Sequence, residues 1–454
     1  MESDVVAIQQ NTYFFSNRDL AKLFIPLIIE QGLEYLVGLI ASILVSRVGE
    51  AAVSGVSLVE FLMALFISIF AAFATGGGIV AGQYLGDRDS KNANKAVNQL
   101  VKFTLYFSLM ITILIFAIKP FILSHLFGTI TPEVHSQADR YFNIVALSTP
   151  FIALYNSGAA IFRTLNKSRL PMNIMLVMNG LNILMGISLI YGLGWGVEGV
   201  AVPILFSRVG AMVLVLWFAH HLTSELTLGN FLREKVDWQM IKKVLSIGLP
   251  FGFENGMFFL GRLIVLSVVS LFGTAAIAAN SVGGTIIMFQ GLPGISIVLG
   301  LAVIISKCVG AGDYVQAEYY KRKVSRIIHI TNACFSAAVI ALMPLLMKLY
   351  DLSAQATHYV WIIVLAHGIL VSLFWNSGYV LPVVFRSAGD ANFPMVISIS
   401  SMLLVRVVCA YFFSVNLGMG MLGTWAAMFL DWFVKGIIYE IRYHKGAWKN
   451  YKLV

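Results

Sequence analysis

The sequence predicts an all-α polytopic membrane protein with twelve transmembrane helices in two pseudo-symmetric six-helix lobes. Three observations predict this fold class: the abundance of apolar residues, the spacing of the apolar runs, and a repeat that relates the two halves. Of the 454 residues, 59% are hydrophobic and only 12% are charged, against about 25% charged in ordinary soluble domains. A soluble fold would have to expose much of this apolar surface, so most of the chain must lie in lipid. Secreted, fibrous and disordered classes are excluded.

Apolar runs interrupted by polar or Gly/Pro-containing loops recur twelve times, and a helical crossing requires about 20 apolar residues. The runs fall at 23–45, 51–81, 97–118, 139–161, 170–191, 200–222, 244–269, 276–305, 327–347, 359–382, 394–415 and 421–441. The even number of crossings places both termini on the same side of the membrane.

The net charge of +9 is distributed through short loops rather than gathered on one polar face, so no nucleic-acid partner is expected. If both termini are cytoplasmic, the loops and tails on that side hold most of the 31 Lys and Arg residues. The opposite loops hold only Arg47, Lys119 and Lys348. The positive-inside rule therefore predicts a multi-pass protein of the cell (inner) membrane with both termini in the cytoplasm.

A repeat relates the two halves of the sequence. The matches at an offset of 224 are Pro26/Pro250, Glu30/Glu254, Gly49/Gly273, Gly86/Gly310 and Gly199/Gly423; those at 223 are Ile161-Phe162-Arg163-Thr164/Val384-Phe385-Arg386-Ser387 and Pro171-Met172/Pro394-Met395. The repeat predicts an N-terminal six-helix lobe at 1–222, a cytoplasmic linker at 223–243 and a C-terminal six-helix lobe at 244–454. Two parallel halves form a central cleft that can open to either side, which favours transport. A repeat that only records gene duplication is the alternative.

Acidic residues within the apolar runs are the main candidates for ion or substrate binding, because a charge near the bilayer centre costs about 2.5–3.5 kcal/mol on insertion scales. Glu30 and Glu34 lie four residues apart on one face of the first helix, beside Gln31. Glu254 repeats Glu30, and Asn255 follows it where the first half has Gln31. Such carboxyl groups could bind a proton, a sodium ion or a cationic substrate. The alternative for Glu30 is a solubilising group at the inner end of its helix.

Other ionisable residues in the runs carry weaker hypotheses. Arg262 replaces Gly38 of the first half, and we expect it to reach across the cleft toward Glu34. Asp431 and Lys435 are four residues apart on the last helix, which favours a structural salt bridge over a functional site. His367 could exchange a proton, but a lone helical histidine is more often hydrogen-bonded packing. Glu60 has no acidic counterpart in the second half, and its role is open.

Several segments, in this order and spacing, resemble one family. They are Ser46-Arg47-Val48-Gly49, Gly82-Gln83-Tyr84-Leu85-Gly86, Ala160-Ile161-Phe162-Arg163, Asn179-Gly180-Leu181-Asn182 and Gly273-Thr274-Ala275-Ala276-Ile277-Ala278-Ala279-Asn280. Over nearly its whole length the chain resembles the multidrug and toxic compound extrusion (MATE) transporters. The resemblance implies an antiporter that exports amphiphilic, often cationic compounds by alternating access, driven by inward proton or sodium flow.

The sequence departs from this family at one place that concerns the mechanism. Many relatives carry an Asp late in the first crossing and another in the fifth, where this chain has Ala41 and Gly186. Their coupling site therefore does not transfer directly. Asn179 and Asn182 of the fifth crossing remain as its polar residues.

These observations predict a secondary active multidrug exporter that exchanges organic cations or other drugs for a proton or sodium ion. We expect a monomer without a cofactor and assign no metal site, although sodium is a possible coupling ion. The nearest alternative is a lipid or lipid-linked oligosaccharide flippase on a related scaffold, which would require basic groups around its cleft. The sequence contains no phosphate-binding loop, metal-ligand spacing or sizeable soluble domain, so an enzyme is not expected.

Overall fold

The computed structural model describes residues 14–126, 131–221, 226–350 and 352–454. Within these ranges the chain is helical, and no β-strand occurs. Eleven helices are long and apolar enough to span a membrane, or twelve if the two parts of a bent helix form one crossing. The crossings are α1 (Asn17–Ser46), α2 (Glu50–Gly86), α3 (Ser90–Phe121), α4 (Pro132–Leu147 with Thr149–Thr164), α5 (Arg169–Ile187), α6 (Glu198–His221), α7 (Trp238–Ser270), α8 (Thr274–Gly310), α9 (Tyr314–Tyr350), α10 (Ala354–Leu373 with Trp375–Ala388), α11 (Asn392–Asn416) and α12 (Met421–His444). The predicted all-α polytopic fold is confirmed; we call α1–α6 the first lobe and α7–α12 the second lobe.

Helix α7 begins earlier than the sequence predicted, at Trp238 rather than at 244. Asp237 caps it, because its carboxylate accepts a hydrogen bond from the Met240 amide at 3.0 Å. An ion pair with Lys95 of α3 lowers the pKa of the Asp237 carboxyl below its ordinary value. The predicted linker 223–243 thus ends in the first turn of α7 and is anchored to the first lobe; its residues 223–225 lie outside the described part of the chain.

The two lobes pack closely at the end of the molecule where α2 and α8 finish, which we call the closed end. A Cβ atom on Gly310 would overlap the backbone carbonyl of Gln83, and one on Gly86 would overlap that of Lys307. These two glycines are repeat-related, so the same position in each lobe permits the close approach of α2 and α8. The Gln83 side chain adds a hydrogen bond to the Ser387 carbonyl at 2.7 Å.

The C-terminal tail also lies at the closed end. Trp448 is fully buried, and its ring stacks on that of Tyr443 with centroids 5.6 Å apart. The Leu453 amide donates to the Gln83 side chain at 3.2 Å, and Leu453 packs against the cores of both lobes. The tail therefore joins the two lobes at this end.

Several crossings are bent or broken. The two parts of α4 meet at 41°, and α10 is interrupted at Phe374. Pro26 and Pro250 lie within α1 and α7, where a missing backbone N–H allows bending. These irregular points lie in matching helices of the two lobes.

Helix α11 contains a π-helical turn, Met402–Val407, whose counterpart in α5 is regular α-helix. A second π turn, Phe412–Asn416, matches Ser188–Gly192 at an offset of 224. The repeat offset is 223 at Pro171/Pro394 and 224 at Ser188/Phe412, so this stretch of the second lobe holds one additional residue. Because a π turn closes its hydrogen bond from i to i+5, it accommodates that residue without ending the helix. Arg406 lies within this inserted turn.

Candidate ion and substrate sites

Glu30 of α1 is buried and paired with an arginine. It is only 3% exposed, and its Oε1 atom accepts a hydrogen bond from Arg163 at 2.7 Å and another from the Tyr155 hydroxyl at 3.3 Å. The alternative in which Glu30 is a solubilising group at the helix end is therefore wrong. Its other carboxylate oxygen has no hydrogen-bond partner among the described residues.

Glu254 of α7 forms the equivalent ion pair in the second lobe. Its Oε2 atom accepts from Arg386 at 2.9 Å, and its Oε1 atom accepts from the Ser398 hydroxyl at 2.8 Å. The guanidinium of Arg386 also lies over the Phe251 ring, 4.1 Å from its centroid. The two glutamates and the two arginines are each repeat-related, so the same ion pair occurs once in each lobe.

A tyrosine hydroxyl lies close to each ion pair, and it comes from a different helix in each lobe. Tyr155 of α4 donates to the Pro171 carbonyl at 3.2 Å, and Tyr439 of α12 donates to the Pro394 carbonyl at 3.1 Å. The two prolines are repeat-related, but the two tyrosines are not: the second lobe has Gly378 where the first has Tyr155. The equivalent proline carbonyl in each lobe thus accepts a hydrogen bond from a tyrosine, but the tyrosine comes from α4 in the first lobe and from α12 in the second.

The sequence interpretation missed Arg163 and Arg386, because it counted both among the cytoplasmic loops 162–169 and 383–393. In the structure they lie inside α4 and α10, and Arg386 is 6% exposed. The signal was available, since the repeated four-residue segments that mark the two halves contain these arginines. Glu30 and Glu254 are repeated at an offset of 224, and Arg163 and Arg386 are repeated at 223. An acid and a base that recur together in both halves indicate an ion pair.

Glu34 differs from these two glutamates. Its side chain is exposed, and its hydrogen-bond partner is the uncharged Gln31, whose Nε2 donates at 3.1 Å. The adjacent residue, Tyr35, lines a cavity of the second lobe. Glu34 therefore lies one turn from the Glu30 pair and next to a residue that lines this cavity.

The predicted carboxamide residues are used in different ways. Asn255 donates across the lobes to the Ser68 carbonyl at 3.2 Å. Asn179 of α5 is buried, and its Nδ2 atom has no hydrogen-bond partner among the described residues. Asn182 lies one turn further along α5 and is half-buried. The structure therefore does not bring Asn255 and the α5 asparagines together in one site.

Arg262 does not reach Glu34, so the expected contact across the cleft is wrong for this conformation. Among the described residues Arg262 forms no ion pair; its charged neighbour is Arg406. The two arginines line a cavity of about 330 Å³ together with Tyr35, Trp375, Tyr379 and Trp425. We call it the arginine cavity. Because α7 runs away from the closed end, Arg262 lies nearer the opposite end than Glu254 does.

A second cavity of about 280 Å³ lies nearer the closed end. Glu254, Asn255, Arg386 and Lys435 line it, so we call it the glutamate cavity. The two cavities share Trp375 and Tyr379, whose rings stack with centroids 4.6 Å apart. They therefore adjoin along the interior of the second lobe.

Asp431 and Lys435 form the predicted salt bridge at 3.0 Å. Both residues are buried, and the Ser401 hydroxyl donates to Asp431 at 2.5 Å. His367 is buried with its Nδ1 atom 2.7 Å from Gln290 Oε1, and it packs against Trp432. These contacts support the packing interpretations for all three predicted residues.

Glu60 of α2 has a partner that the sequence did not suggest. The hydroxyl of Tyr141 in α4 donates to it at 2.5 Å, and Tyr141 is fully buried. Arg208 of α6 lies near this pair and donates to the Ser148 hydroxyl at 2.7 Å. Polar groups of the first lobe thus form local links between neighbouring helices.

Two parallel six-helix lobes, packed together at one end and enclosing cavities at membrane depth, define a membrane transporter of the internal-repeat type. The MatE family model matches residues 26–187 and 250–412, one copy in each lobe. The chain belongs to the MatE family, which confirms the resemblance found in the sequence.

Known proteins with similar sequence and structure agree with this membership. The chain is 26% identical over 436 residues to the uncharacterized transporter YisQ of Bacillus subtilis (strain 168), covering 93% of each chain. It is 23% identical over 447 residues to the probable multidrug resistance protein NorM of Thermotoga maritima, covering 95% of this chain and 93% of the relative. A crystal structure of MATE in complex with MaL6 matches with a TM-score of 0.88 and 20% identity, over 95% of this chain and 97% of that one.

Proposed function

We propose that this protein is a secondary active multidrug exporter of the cell membrane, driven by inward flow of protons or sodium ions. Relatives named as multidrug resistance proteins support the class of function. The paired lobes and the enclosed cavities supply the cleft that alternating access requires. Both termini face the cytoplasm in this proposal, and the protein acts as a monomer whose lobes correspond to 1–222 and 244–454.

The observation that supports ion coupling is that Glu34 has a neutral hydrogen-bond partner rather than a basic one. Three predicted acids already have a basic partner within 3.0 Å: Glu30, Glu254 and Asp431. Glu34 is bound by the neutral Gln31 instead. It can accept and release a cation without breaking an ion pair. Glu34 is therefore a better coupling site than Glu254, whose part in ion binding stays a prediction.

Cation binding would couple to transport because it neutralises the negative charge of the Glu34 carboxylate. An ionised Glu34 lies one turn from the Glu30–Arg163 pair, and Arg163 and Arg208 both interact with it electrostatically. Neutralising Glu34 weakens its attraction to these arginines, which belong to α4 and α6. A bound ion shifts the balance of two conformations only by the difference of its affinities for them. The ion's affinity for Glu34 differs between the two conformations if Arg163 and Arg208 move relative to Glu34 as the cleft closes.

The test is transport by Glu34→Gln in proteoliposomes with proton and sodium gradients imposed separately. The substitution keeps the size and the hydrogen bond to Gln31 but removes the exchangeable charge. We expect gradient-driven transport of fluorescent amphiphiles to fall by about 10- to 100-fold, the usual range of a coupling free energy. The matched control is Glu198→Gln, because Glu198 lies in the same lobe and its charge is already paired with the exposed Arg140. Full gradient-driven transport by Glu34→Gln would contradict the proposal.

One observation favours the flippase alternative. Arg262 and Arg406 supply basic groups in the second lobe, which a carrier of phosphorylated lipids would require. The same vesicles distinguish the two functions, since a flippase moves a fluorescent phospholipid or lipid-linked sugar between leaflets. Such movement without gradient-driven export of soluble amphiphiles would favour the alternative.

A further inference from the structure

The arginine cavity holds two positive charges that the protein itself does not neutralise. Neither Arg262 nor Arg406 has an acidic partner within ion-pair distance among the described residues, and none of the residues recorded as lining the cavity is acidic. We infer that this cavity binds the anionic group of the transported compound, so that the substrates are amphiphilic organic anions. The inference rests on the proposed export function and names its substrate class.

Arg406 is the clearest evidence for a missing partner. It is 8% exposed, and its buried Nε atom has no hydrogen-bond partner in the part of the chain that the structure describes. The Phe258 ring lies 5.5 Å from its guanidinium carbon, but a cation–π contact only partly replaces the solvation that a buried guanidinium loses. A guanidinium at membrane depth is costly unless it is paired. An anionic ligand would supply the partner that the chain lacks.

The nearby acid cannot serve as that partner without losing its own. Asp431 interacts electrostatically with Arg406, but it pairs with Lys435 at 3.0 Å and accepts from Ser401 at 2.5 Å. Lys435 balances the charge of Asp431, and His367, the histidine of the cavity wall, bonds to Gln290. With a neutral histidine, the surroundings of the cavity therefore keep the two arginine charges. An organic cation would be repelled there, whereas an anion would be attracted.

Both arginines are specific to the second lobe, unlike the ion pairs that the two lobes share. Arg262 stands where the first lobe has Gly38. Arg406 lies in the inserted π turn of α11, for which α5 has regular α-helix. Glu34 is replaced by Phe258 in the second lobe, and among the described residues neither Glu34 nor Glu60 of the first lobe lies within ion-pair distance of an arginine. The first lobe therefore suits the driving cation, and the second suits the anionic substrate.

The aromatic residues of the arginine cavity indicate the chemistry of the uncharged part of the ligand. Trp375, Trp425, Trp432 and Tyr379 present aromatic surfaces around the two guanidinium groups. A volume of about 330 Å³ suits a small drug-sized molecule. The ligand is thus an aromatic or cyclic compound with a carboxylate, sulfonate or phosphate group. A soluble compound of this kind fits the volume better than a diacyl phospholipid.

The test uses three naphthalene probes of similar size: naphthalenesulfonate, naphthylmethanol and naphthylmethylammonium. Binding to the full-length protein in nanodiscs, without an ion gradient, is measured by quenching of tryptophan fluorescence and by calorimetry. We expect the sulfonate to bind about 10-fold or more tightly than the ammonium probe, as for one charge-assisted hydrogen bond. Arg262→Gln and Arg406→Gln should each remove this preference while leaving naphthylmethanol binding unchanged.

Two kinds of control separate binding from folding and from surface charge. Arg262→Lys should retain part of the preference because it keeps the charge, and Arg140→Gln, which removes a charge at an exposed site, should retain all of it. Equal affinity for the sulfonate and ammonium probes, or a preference that survives Arg262→Gln, would overturn the inference. If Arg406→Gln fails to fold, the Arg262 variants decide the question.

The result is independent of the ion-coupling test. Selective sulfonate binding without gradient-driven transport would contradict the proposed export function alone. Gradient-driven transport of cationic dyes without sulfonate selectivity would contradict the anion inference alone. If phosphatidic acid vesicles bound to the protein in an Arg262-dependent way and naphthalenesulfonate did not bind, the anion would be a lipid. That result would overturn the assignment to soluble anions.

Discussion

Glu30 and Arg163 are 133 residues apart in the sequence, and Glu254 and Arg386 are 132 residues apart, yet each pair is in direct contact. The members of each pair come from the first and fourth crossings of a lobe. A buried ion pair is costly to desolvate, and it is favourable only when both partners remain. These residues therefore link the first and fourth crossings of each lobe through their side chains.

Removing one partner of the Glu30–Arg163 pair should be strongly destabilising. Arg163→Met leaves a buried carboxylate without its cation, and we expect the free energy of unfolding to fall by about 3–5 kcal/mol. The double variant Glu30→Gln with Arg163→Met should recover most of this loss, because no uncompensated charge remains. Thermal unfolding in detergent measures both. A double variant as unstable as the single one would show that the arginine acts through packing alone.

The sequence singled out the acids within the apolar runs but not their ion-pair partners, and the part of these acids in ion or substrate binding stays a prediction. Glu30, Glu34 and Glu254 were identified because a carboxylate in an apolar run is conspicuous. Arg163 and Arg386 were not, because a basic residue near the end of a run looks like an ordinary cytoplasmic loop residue. Arg406 falls within the apolar run 394–415 but was not predicted as a site residue. Its significance depends on which neighbours lack an opposite charge, which only the packed structure decides.

Helices α2 and α8 are repeat-related, and they form the contact at the closed end. Their approach depends on Gly86 and Gly310, since a Cβ atom at either position would overlap the facing backbone. The glycines were noticed in the sequence only as repeat markers. Their role follows from the arrangement of the two lobes and could not be read from either helix alone.

Gly310→Val should separate the two lobes at the closed end. The added side chain overlaps backbone rather than a movable side chain, so α2 and α8 must move apart. Spin labels at Arg88 and Asp313, in the loops after these helices, should report a longer distance and a broader distribution. The matched control on the same helix is Gly284→Val, because a Cβ there meets no atom within 4 Å. Unchanged distances in Gly310→Val would show that the contact is not required for closure.

The molecule as a whole is closed at one end and hollow toward the other, and the C-terminal tail belongs to the closed end. Leu453 packs against the cores of both lobes, which must separate if the closed end opens, and the buried Trp448 anchors the tail to the second lobe. The tail therefore stabilises the conformation in which the two lobes meet at this end.

Trp448→Ala should lower the thermal stability and increase opening at the closed end. Truncation of a buried tryptophan costs about 3–5 kcal/mol, and the tail contact with Gln83 would be weakened as well. Thermal unfolding and the same pair of spin labels measure the two effects. Lys452→Ala, at an exposed position of the same tail, is the control. A loss of stability without any change in the label distances would limit the tail to a structural role.

The sequence by itself determined the number of crossings, the division into two similar halves and the acids that need an explanation within the membrane. Apolar run lengths and residue repeats can be read directly from the sequence. In lipid, an apolar run of sufficient length must cross the bilayer as a helix, so the runs determine the number of crossings. Only the tertiary structure decided that Glu30 and Glu254 are neutralised while Glu34, Arg262 and Arg406 are not. The charge of a buried site depends on which distant helices meet there, because an ion pair stabilises only groups that packing brings within a few ångströms of each other.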